Sequence, residues 1–321
     1  MYDTCLGNSG IKVSRIGFGV LPIGASQKDL TIEEGSRLIV YAMERGITFF
    51  DTAQYYDTYR YMRPAFEAMR GKGIDPVVSS KCLSGSRRAM ADAIEEARME
   101  LDMDVIDIFL LHEVRSLDDL RSRRGAWEYL LEAREKGIVR AIGLSTHHQD
   151  VAEAAADISG CDVVFPLINK DGLGIRLGGG PGTAEGMRMA IDRCANAGKG
   201  VYAMKVFGGG NLTGSYMECM DYVNGIDSVS SMVIGFTTEE EIDRACEYAD
   251  GTIDPAYRPD ISDKKMVINK EDCIGCLSCM KRCPNDAIFI SSCGLPEIDR
   301  SVCLTCGYCA PVCPSRALIM F

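Results

Sequence analysis

Basic residues are in short supply here. There are 35 Lys and Arg against 46 Asp and Glu, which leaves a net charge of −11 over 321 residues. A surface of that sign repels phosphate polyanions, so neither nucleic acid nor an anionic membrane face is an expected partner. Long apolar runs are missing too, and with them any stretch of the roughly 20 residues that a bilayer-spanning helix needs. The opening Met1-Tyr2-Asp3 lacks the basic and apolar regions of a secretory leader, and a cytoplasmic location is expected. What is present suffices for a core: 46% of the residues are hydrophobic, and the length suits one large domain with a small one attached.

Cysteine is abundant, and eight of the 15 fall into two copies of one spacing. Cys273, Cys276, Cys279 and Cys283 are followed by Pro284, and Cys303, Cys306, Cys309 and Cys313 by Pro314. A 4Fe-4S cube needs four thiolates at its corners. Three cysteines on one tight loop can wrap three irons, and in this spacing the fourth of each run closes the other run's cage. The expected ligand sets are therefore Cys273, Cys276, Cys279 and Cys313 for one cluster, and Cys303, Cys306, Cys309 and Cys283 for the other. Residues after the fourth cysteines also match, Asn285-Asp286-Ala287-Ile288 against Ser315-Arg316-Ala317-Leu318, a duplication with a 30-residue period. A four-cysteine zinc site would use two separated pairs, and disulfides are rare in cytosolic chains. Cys293 fits neither set, and the other cysteines are scattered, as suits a reducing compartment.

Upstream, short apolar runs alternate with longer amphipathic patterns. Strands are expected over 16–20, 48–51, 77–81, 106–111, 139–144, 163–166, 201–205 and 231–234, and helices over stretches such as 31–45, 87–101, 126–136, 182–197 and 238–250. Eight strand-helix units close into a (β/α)8 TIM barrel of roughly 250 residues, an α/β fold. A doubly wound sheet would want a glycine-rich turn after its first strand, but Gly17-Phe18-Gly19 lies inside one. The domain plan is a barrel over 1–250, a polar linker over 251–265 and a small α+β two-cluster module over 266–321. The glycine-rich segment 169–182 reads either as a lid over substrate or as an ordinary surface loop.

Chemistry in such a barrel sits where strands end. Asp51, Lys81 and His112 close three successive strands, and Tyr55 and Tyr56 follow the first of them. A phenol is a poor proton donor at neutral pH unless a neighbouring ammonium stabilises its anion, which Lys81 can do for Tyr56 while Asp51 fixes Lys81. His112 would hold the substrate oxygen. Singly these residues read as a loop cap, a surface aromatic, a snorkelling lysine and a satisfied imidazole; jointly they read as a catalytic set.

Motif by motif, residues 1–250 resemble the aldo/keto reductases. Leu6 to Gly19 is similar to that family's N-terminal hairpin and first strand, and Gly46-Ile47-Thr48-Phe49-Phe50-Asp51-Thr52-Ala53 to its aspartate motif. The motif places the family's catalytic tyrosine five residues on, at Tyr56, with Tyr55 its neighbour and rival. Lys81, and His112 in Leu110-Leu111-His112, match the rest of the tetrad. The tail resembles bacterial-type ferredoxins, and the whole chain is similar to the iron-sulfur-bearing branch of the family.

The resemblance implies a nicotinamide nucleotide along the later strand ends. Ser145 fits the serine that contacts the carboxamide, with Thr146 in place of the usual asparagine, and Phe165 takes the place of the tyrosine that stacks on the ring. Asp162 stands near the usual glutamine. The loop Lys205-Val206-Phe207-Gly208-Gly209-Gly210-Asn211-Leu212 matches the pyrophosphate loop, whose glycines expose amides to an anion. After Gly235, Thr237 and Thr238 stand where a Lys or Arg grips the 2'-phosphate of NADP, and Glu239, Glu240 and Glu241 follow. NADH is slightly favoured over NADPH, with Arg244 as a compensating cation. The expected activity is NAD(P)H-dependent reduction of a small carbonyl compound, or its reverse, with the clusters exchanging electrons with a ferredoxin or flavoprotein. Three alternatives stand beside it: a ferredoxin-linked reductase that uses no nicotinamide, an electron-transfer adaptor or sensor with a silent barrel, and a purely structural role for the clusters.

Overall fold

The computed structural model describes residues 1–259 and 265–320. A hairpin of β1 (Asp3–Cys5) and β2 (Lys12–Ser14) precedes the strands β3 (Ile16–Gly19), β4 (Phe49–Asp51), β5 (Val77–Cys82), β6 (Ile106–Leu111), β7 (Val139–Thr146) and β8 (Val163–Pro166). A ribbon of β9 (Arg176–Leu177) and β10 (Gly180–Pro181) follows, then β11 (Gly200–Ala203) and β12 (Ser231–Ile234). Strands β3 to β8, β11 and β12 close into one parallel barrel, with β12 paired to β3 and β11 to β8. The eight expected strands are these eight, displaced by at most two residues at an end; Lys205, expected to end the seventh, lies just beyond β11 in a left-handed turn with φ 62°.

Helices α1 (Ile32–Glu44), α2 (Tyr59–Arg70), α3 (Arg87–Leu101), α4 (Leu117–Ser122), α5 (Arg124–Glu135), α6 (Gln149–Ala155), α7 (Ala184–Asn196), α8 (Tyr216–Asn224) and α9 (Glu239–Ala249) surround it. Their starts are written in the sequence: Thr31, Ser86, Ser116, Thr183 and Thr238 each accept a backbone N–H of the first turn, and Glu34 and Glu241 return the bond to complete capping boxes. Helix α2 forms although Pro64 lies inside it. Two cores result. One lies between strands and helices, while Phe49, Ile108, Leu110, Phe165, Tyr202 and Val233 fill the barrel itself, with Leu6 and Val13 of the hairpin region at its base. Among the described residues no helix is long and apolar enough to cross a membrane.

The C-terminal module pairs β13 (Met266–Ile268) with β16 (Leu318–Met320) and β14 (Ile288–Ile290) with β15 (Pro296–Ile298), with α10 (Ser278–Arg282) between. Of the linker expected over 251–265, residues 260–264 lie outside the described residues. The duplication is not matched by equal burial: Ile274 is 68% exposed, whereas its counterpart Leu304 is 2% exposed. The loop that opens the second cysteine run is therefore packed in, while the loop that opens the first, at Ile274, is exposed.

Candidate active site

A cavity of about 600 Å³ opens at the C-terminal ends of the barrel strands, walled by Gly19, Asp51, Lys81, His112, Ser145, Phe165 and Ile234 from seven of them or the positions just beyond. Asp51, Tyr56, Lys81 and His112 all reach it and all are buried. Lys81 Nζ donates to Asp51 Oδ1 at 2.7 Å and to the Thr52 carbonyl, and Asp51 Oδ2 accepts from Tyr202 at 3.3 Å. Burial drives Asp51 up and Lys81 down, each opposed by the other's charge.

Tyr56 Oη lies 3.3 Å from His112 Nε2. Its phenol is held above the ordinary tyrosine value, foremost by burial and next by the Asp51 carboxylate, against the lowering effect of a hydrogen bond with Tyr308. This is opposite to the direction expected from Lys81, whose ammonium is bonded elsewhere and lies 5.3 Å from the centre of the Tyr56 ring. His112 is pushed well below the usual imidazole range by burial, then by the charges of Lys81 and Arg282. Tyr55 turns the other way: its hydroxyl donates to the Tyr308 carbonyl at 3.1 Å, and the Arg282 guanidinium lies 4.8 Å over its ring.

Tyr308 and Arg282 come from the cysteine module, and nothing in the barrel pattern called for them. Tyr308, between Cys306 and Cys309, enters the cavity with Cys306 and places its hydroxyl 2.6 Å from Tyr56 Oη and 3.3 Å from His112 Nε2. Arg282 spans Glu113, at 2.9 Å, and the Tyr308 ring, at 4.7 Å, while Arg115 also pairs with Glu113. Further out, His147 Nδ1 lies 3.0 Å from Asn285 Oδ1 and Arg176 pairs with Asp286 at 2.6 Å. The segment 169–182 thus packs against the module: a Cβ at Gly174 would meet Leu304 Cδ1 at 2.7 Å. One signal was available in the sequence. Comparing the runs position by position sets Tyr308 against Ser278, an aromatic where the duplicate keeps a small residue.

The expected nucleotide residues divide. Ser145, Phe165, Lys205, Gly209, Gly210, Gly235, Thr237 and Glu241 line the cavity. Phe165 has one face stacked on Tyr202, with ring centres 4.1 Å apart. Thr146 is turned away, its hydroxyl donating to the Val114 carbonyl and accepting from His148 N–H. Asp162 pairs with Arg134 at 2.6 Å and also accepts from Ile142 N–H, remote from the cavity. Gly208 lies against Leu173 and Leu212, which pack on the core, and Asn211 donates to the carbonyls of Gly208 and Cys303. Gly209, at φ 72°, is required by the module: a Cβ there would stand 2.0 Å from the Leu304 carbonyl oxygen, and Thr305 Oγ1 donates to the Gly209 carbonyl. The glycine loop therefore serves first as a bed for the second cysteine run.

At the far end Glu241 Oε2 accepts from the backbone N–H groups of Thr237, at 2.6 Å, and Thr238, at 3.2 Å. The N-terminus of α9, where an anion would find free amides, is filled by the chain's own carboxylate. Arg244 pairs with Glu247 at 2.7 Å, and Arg258 lines the cavity together with Thr237 and Glu241.

Cys273, Cys276, Cys279 and Cys313 ring one small cavity with Leu277 and Pro296. Cys309 is raised by burial and then by the neighbouring Cys306, Cys283 and Cys303, which places the other four together. Among the described residues no group of three or more such donors closes on the position of a single ion. The first four thiols surround a space instead, as the corners of an iron-sulfide cube require. Four thiolates that repel one another are also what iron would neutralise. Backbone N–H groups of Ala287 and Ala317 point at Cys283 and Cys313 sulfur, each at 3.3 Å, so the duplication extends to the hydrogen bonds.

A model of the aldo/keto reductase family matches residues 15–251, and one of the 4Fe-4S binding domain matches 266–289 and 296–319. L-galactose dehydrogenase from Arabidopsis thaliana is 30% identical over 156 residues, covering 44% of this chain and 47% of that protein. The chain thus spans about half the length of such curated relatives. In structure, a putative aldo-keto reductase from Pseudomonas aeruginosa superposes with a TM-score of 0.64 at 22% identity, over 78% of this chain and 94% of its own. An aldo-keto reductase from Bombyx mori, solved in complex with NADP, gives 0.59 at 18% identity over 81% and 95%. At these identities the two structures speak to the fold alone.

Proposed function

The chain belongs to the aldo/keto reductase family, with a 4Fe-4S binding domain appended, and from that premise we propose that its barrel interconverts a small carbonyl compound and its alcohol using NAD(P)H. The carrying observation is that Asp51, Tyr56, Lys81 and His112 meet at one cavity whose wall also includes Cys306. A bound nicotinamide would supply hydride to the carbonyl carbon, and the two 4Fe-4S clusters would exchange single electrons with a ferredoxin or flavoprotein. The neutral imidazole of His112 orients the carbonyl oxygen. Tyr56 gives that oxygen its proton as negative charge develops, and Lys81, held by Asp51 with its ammonium 5.3 Å from the Tyr56 ring centre, would offset only part of the cost that burial and the Asp51 carboxylate place on the phenolate left behind. In the reverse direction the same proton returns to Tyr56. Cluster ligation is assigned to the two crossed sets of cysteines, a proposal supported by their grouping. The 15 cysteines, all unpaired, support a cytoplasmic setting.

The nucleotide end supports NADH over NADPH, because a 2'-phosphate would meet Glu241 rather than free amides. One observation favours the second reading, in which electrons enter from the clusters with no nicotinamide: the glycine loop and Asn211 are bound to the second cysteine run. Anaerobic calorimetry of the cluster-loaded chain separates the two. Stoichiometric binding of NADH is expected; absence of binding by both nucleotides, with carbonyl reduction by a reduced ferredoxin, would overturn the main reading.

A further inference from the structure

We propose that Tyr308, carried by the second cysteine loop, occupies the place of the substrate's carbonyl oxygen, so that a substrate enters only by displacing it; the inference rests on the carbonyl reading above. Two groups would hold that oxygen, Tyr56 Oη and His112 Nε2, and they lie 3.3 Å apart. A single atom already bonds to both: Tyr308 Oη, at 2.6 and 3.3 Å. No second oxygen can take the same bonds while it is there. The ring behind it fills the approach, edge-on to His112 with centres 6.1 Å apart and edge-on to Tyr55 at 5.6 Å. Tyr308 is 7% exposed, although it lies on a cysteine loop whose duplicate, at Ser278, carries no such projection.

The loop is held in that position from outside the tetrad. Tyr55 bonds the Tyr308 carbonyl, Arg282 covers the ring, and Thr305 and Asn211 tie the loop to 208–211. These ties fix the loop's backbone, so Tyr308 leaves the site by rotation of its side chain from under Arg282 or together with a shift of the loop. Tyr308 thus determines which carbonyls are accepted. A substrate must offer an oxygen that accepts from Tyr56 and His112 as well as the phenol does, on a body that fits the space the ring leaves.

The test uses the full chain prepared anaerobically, with iron and sulfide content measured for every variant. Tyr308→Gly leaves a phenol-sized vacancy, and p-cresol is the probe that refills it, as apolar vacancies of this size take up aromatic molecules. By calorimetry p-cresol is expected to bind Tyr308→Gly and not the unmodified protein, and adding Tyr56→Phe to the glycine variant should weaken that binding about fivefold through one lost hydrogen bond. With 4-nitrobenzaldehyde, Tyr308→Phe should lower KM by roughly tenfold, since two hydrogen bonds no longer hold the phenol in the substrate's place. The phenylalanine variant keeps the ring and decides the question even where the glycine variant loses its clusters. A raised KM or a falling kcat in Tyr308→Phe, or no p-cresol binding to a cluster-loaded glycine variant, would overturn the proposal. If no carbonyl is reduced by any variant while p-cresol binds as described, the occupancy stands and the carbonyl reading falls.

Discussion

At His112 burial and two nearby cations act in the same direction. The charged imidazolium would be desolvated and would face Lys81 and Arg282, so the ring stays neutral well below its ordinary pKa. Turnover is therefore expected to show no histidine limb from about pH 6 to pH 8, since protonation lies below that window. A pH profile of kcat on the cluster-loaded enzyme checks this, and a loss of activity on acidification with a midpoint near the free imidazole value would contradict it. The neighbouring tyrosines divide their tasks. Tyr56 reaches His112, while Tyr55 supports the cysteine loop. Tyr55→Phe should leave kcat within about threefold, because it removes only one neutral hydrogen bond outside the tetrad. What the sequence could not reveal at this scale was the direction of the Tyr56 shift. A lysine nearby in the chain pattern says nothing of where its protons point, and here they go to Asp51 and Thr52.

At the scale of elements, the start of α9 and the strip around α10 make separate demands. Glu241 closes the capping box and fills the helix N-terminus at once. Glu241→Gln should shift the binding preference toward NADP(H), and Thr237→Arg further, by supplying a charge-assisted bond of about 1.5–3 kcal/mol to the 2'-phosphate. Calorimetry with both nucleotides measures this; NADPH binding tenfold tighter than NADH in the unmodified chain would point to Arg258, which also lines that end. Arg282 is the second element-scale test. Its removal leaves the buried Glu113 with Arg115 alone and uncovers two tyrosine rings. Arg282→Ala should loosen the module by about 2 kcal/mol, read as faster hydrogen exchange in 303–309 with the barrel strands unchanged. Strand positions were legible because barrel strands buried on both faces read as apolar runs, as in Ile106 to Leu111. Helix α2 went unassigned because Pro64 interrupts the pattern, although six of its residues are buried, Tyr61 and Phe66 among them.

Across the whole molecule, the two halves of the sequence were each readable but their meeting was not. The cysteine runs follow from spacing, which is local, and the tetrad from strand ends and the resemblance of its motifs to a known family. The docking of Leu304 on Gly209, and of Tyr308 on Tyr56, joins residues far apart in the chain, and no periodicity reports such a contact. The glycine loop shows the consequence: its composition suggested a phosphate cradle, yet Gly209 is also where the module's backbone must pass. The crossed ligand sets predict about eight irons and eight sulfides per chain, with replacement of Cys283 or Cys313 disturbing the cluster of the opposite run. Stoichiometric zinc with iron near zero after anaerobic purification would refute that assignment. The most direct test of the account is nicotinamide-dependent reduction of 4-nitrobenzaldehyde by the anaerobic, cluster-loaded chain, compared with Tyr56→Phe. A fall of about 10²- to 10⁴-fold in kcat with nucleotide affinity kept is expected, the cost of losing a positioned general acid. Equal turnover by the two proteins would contradict it.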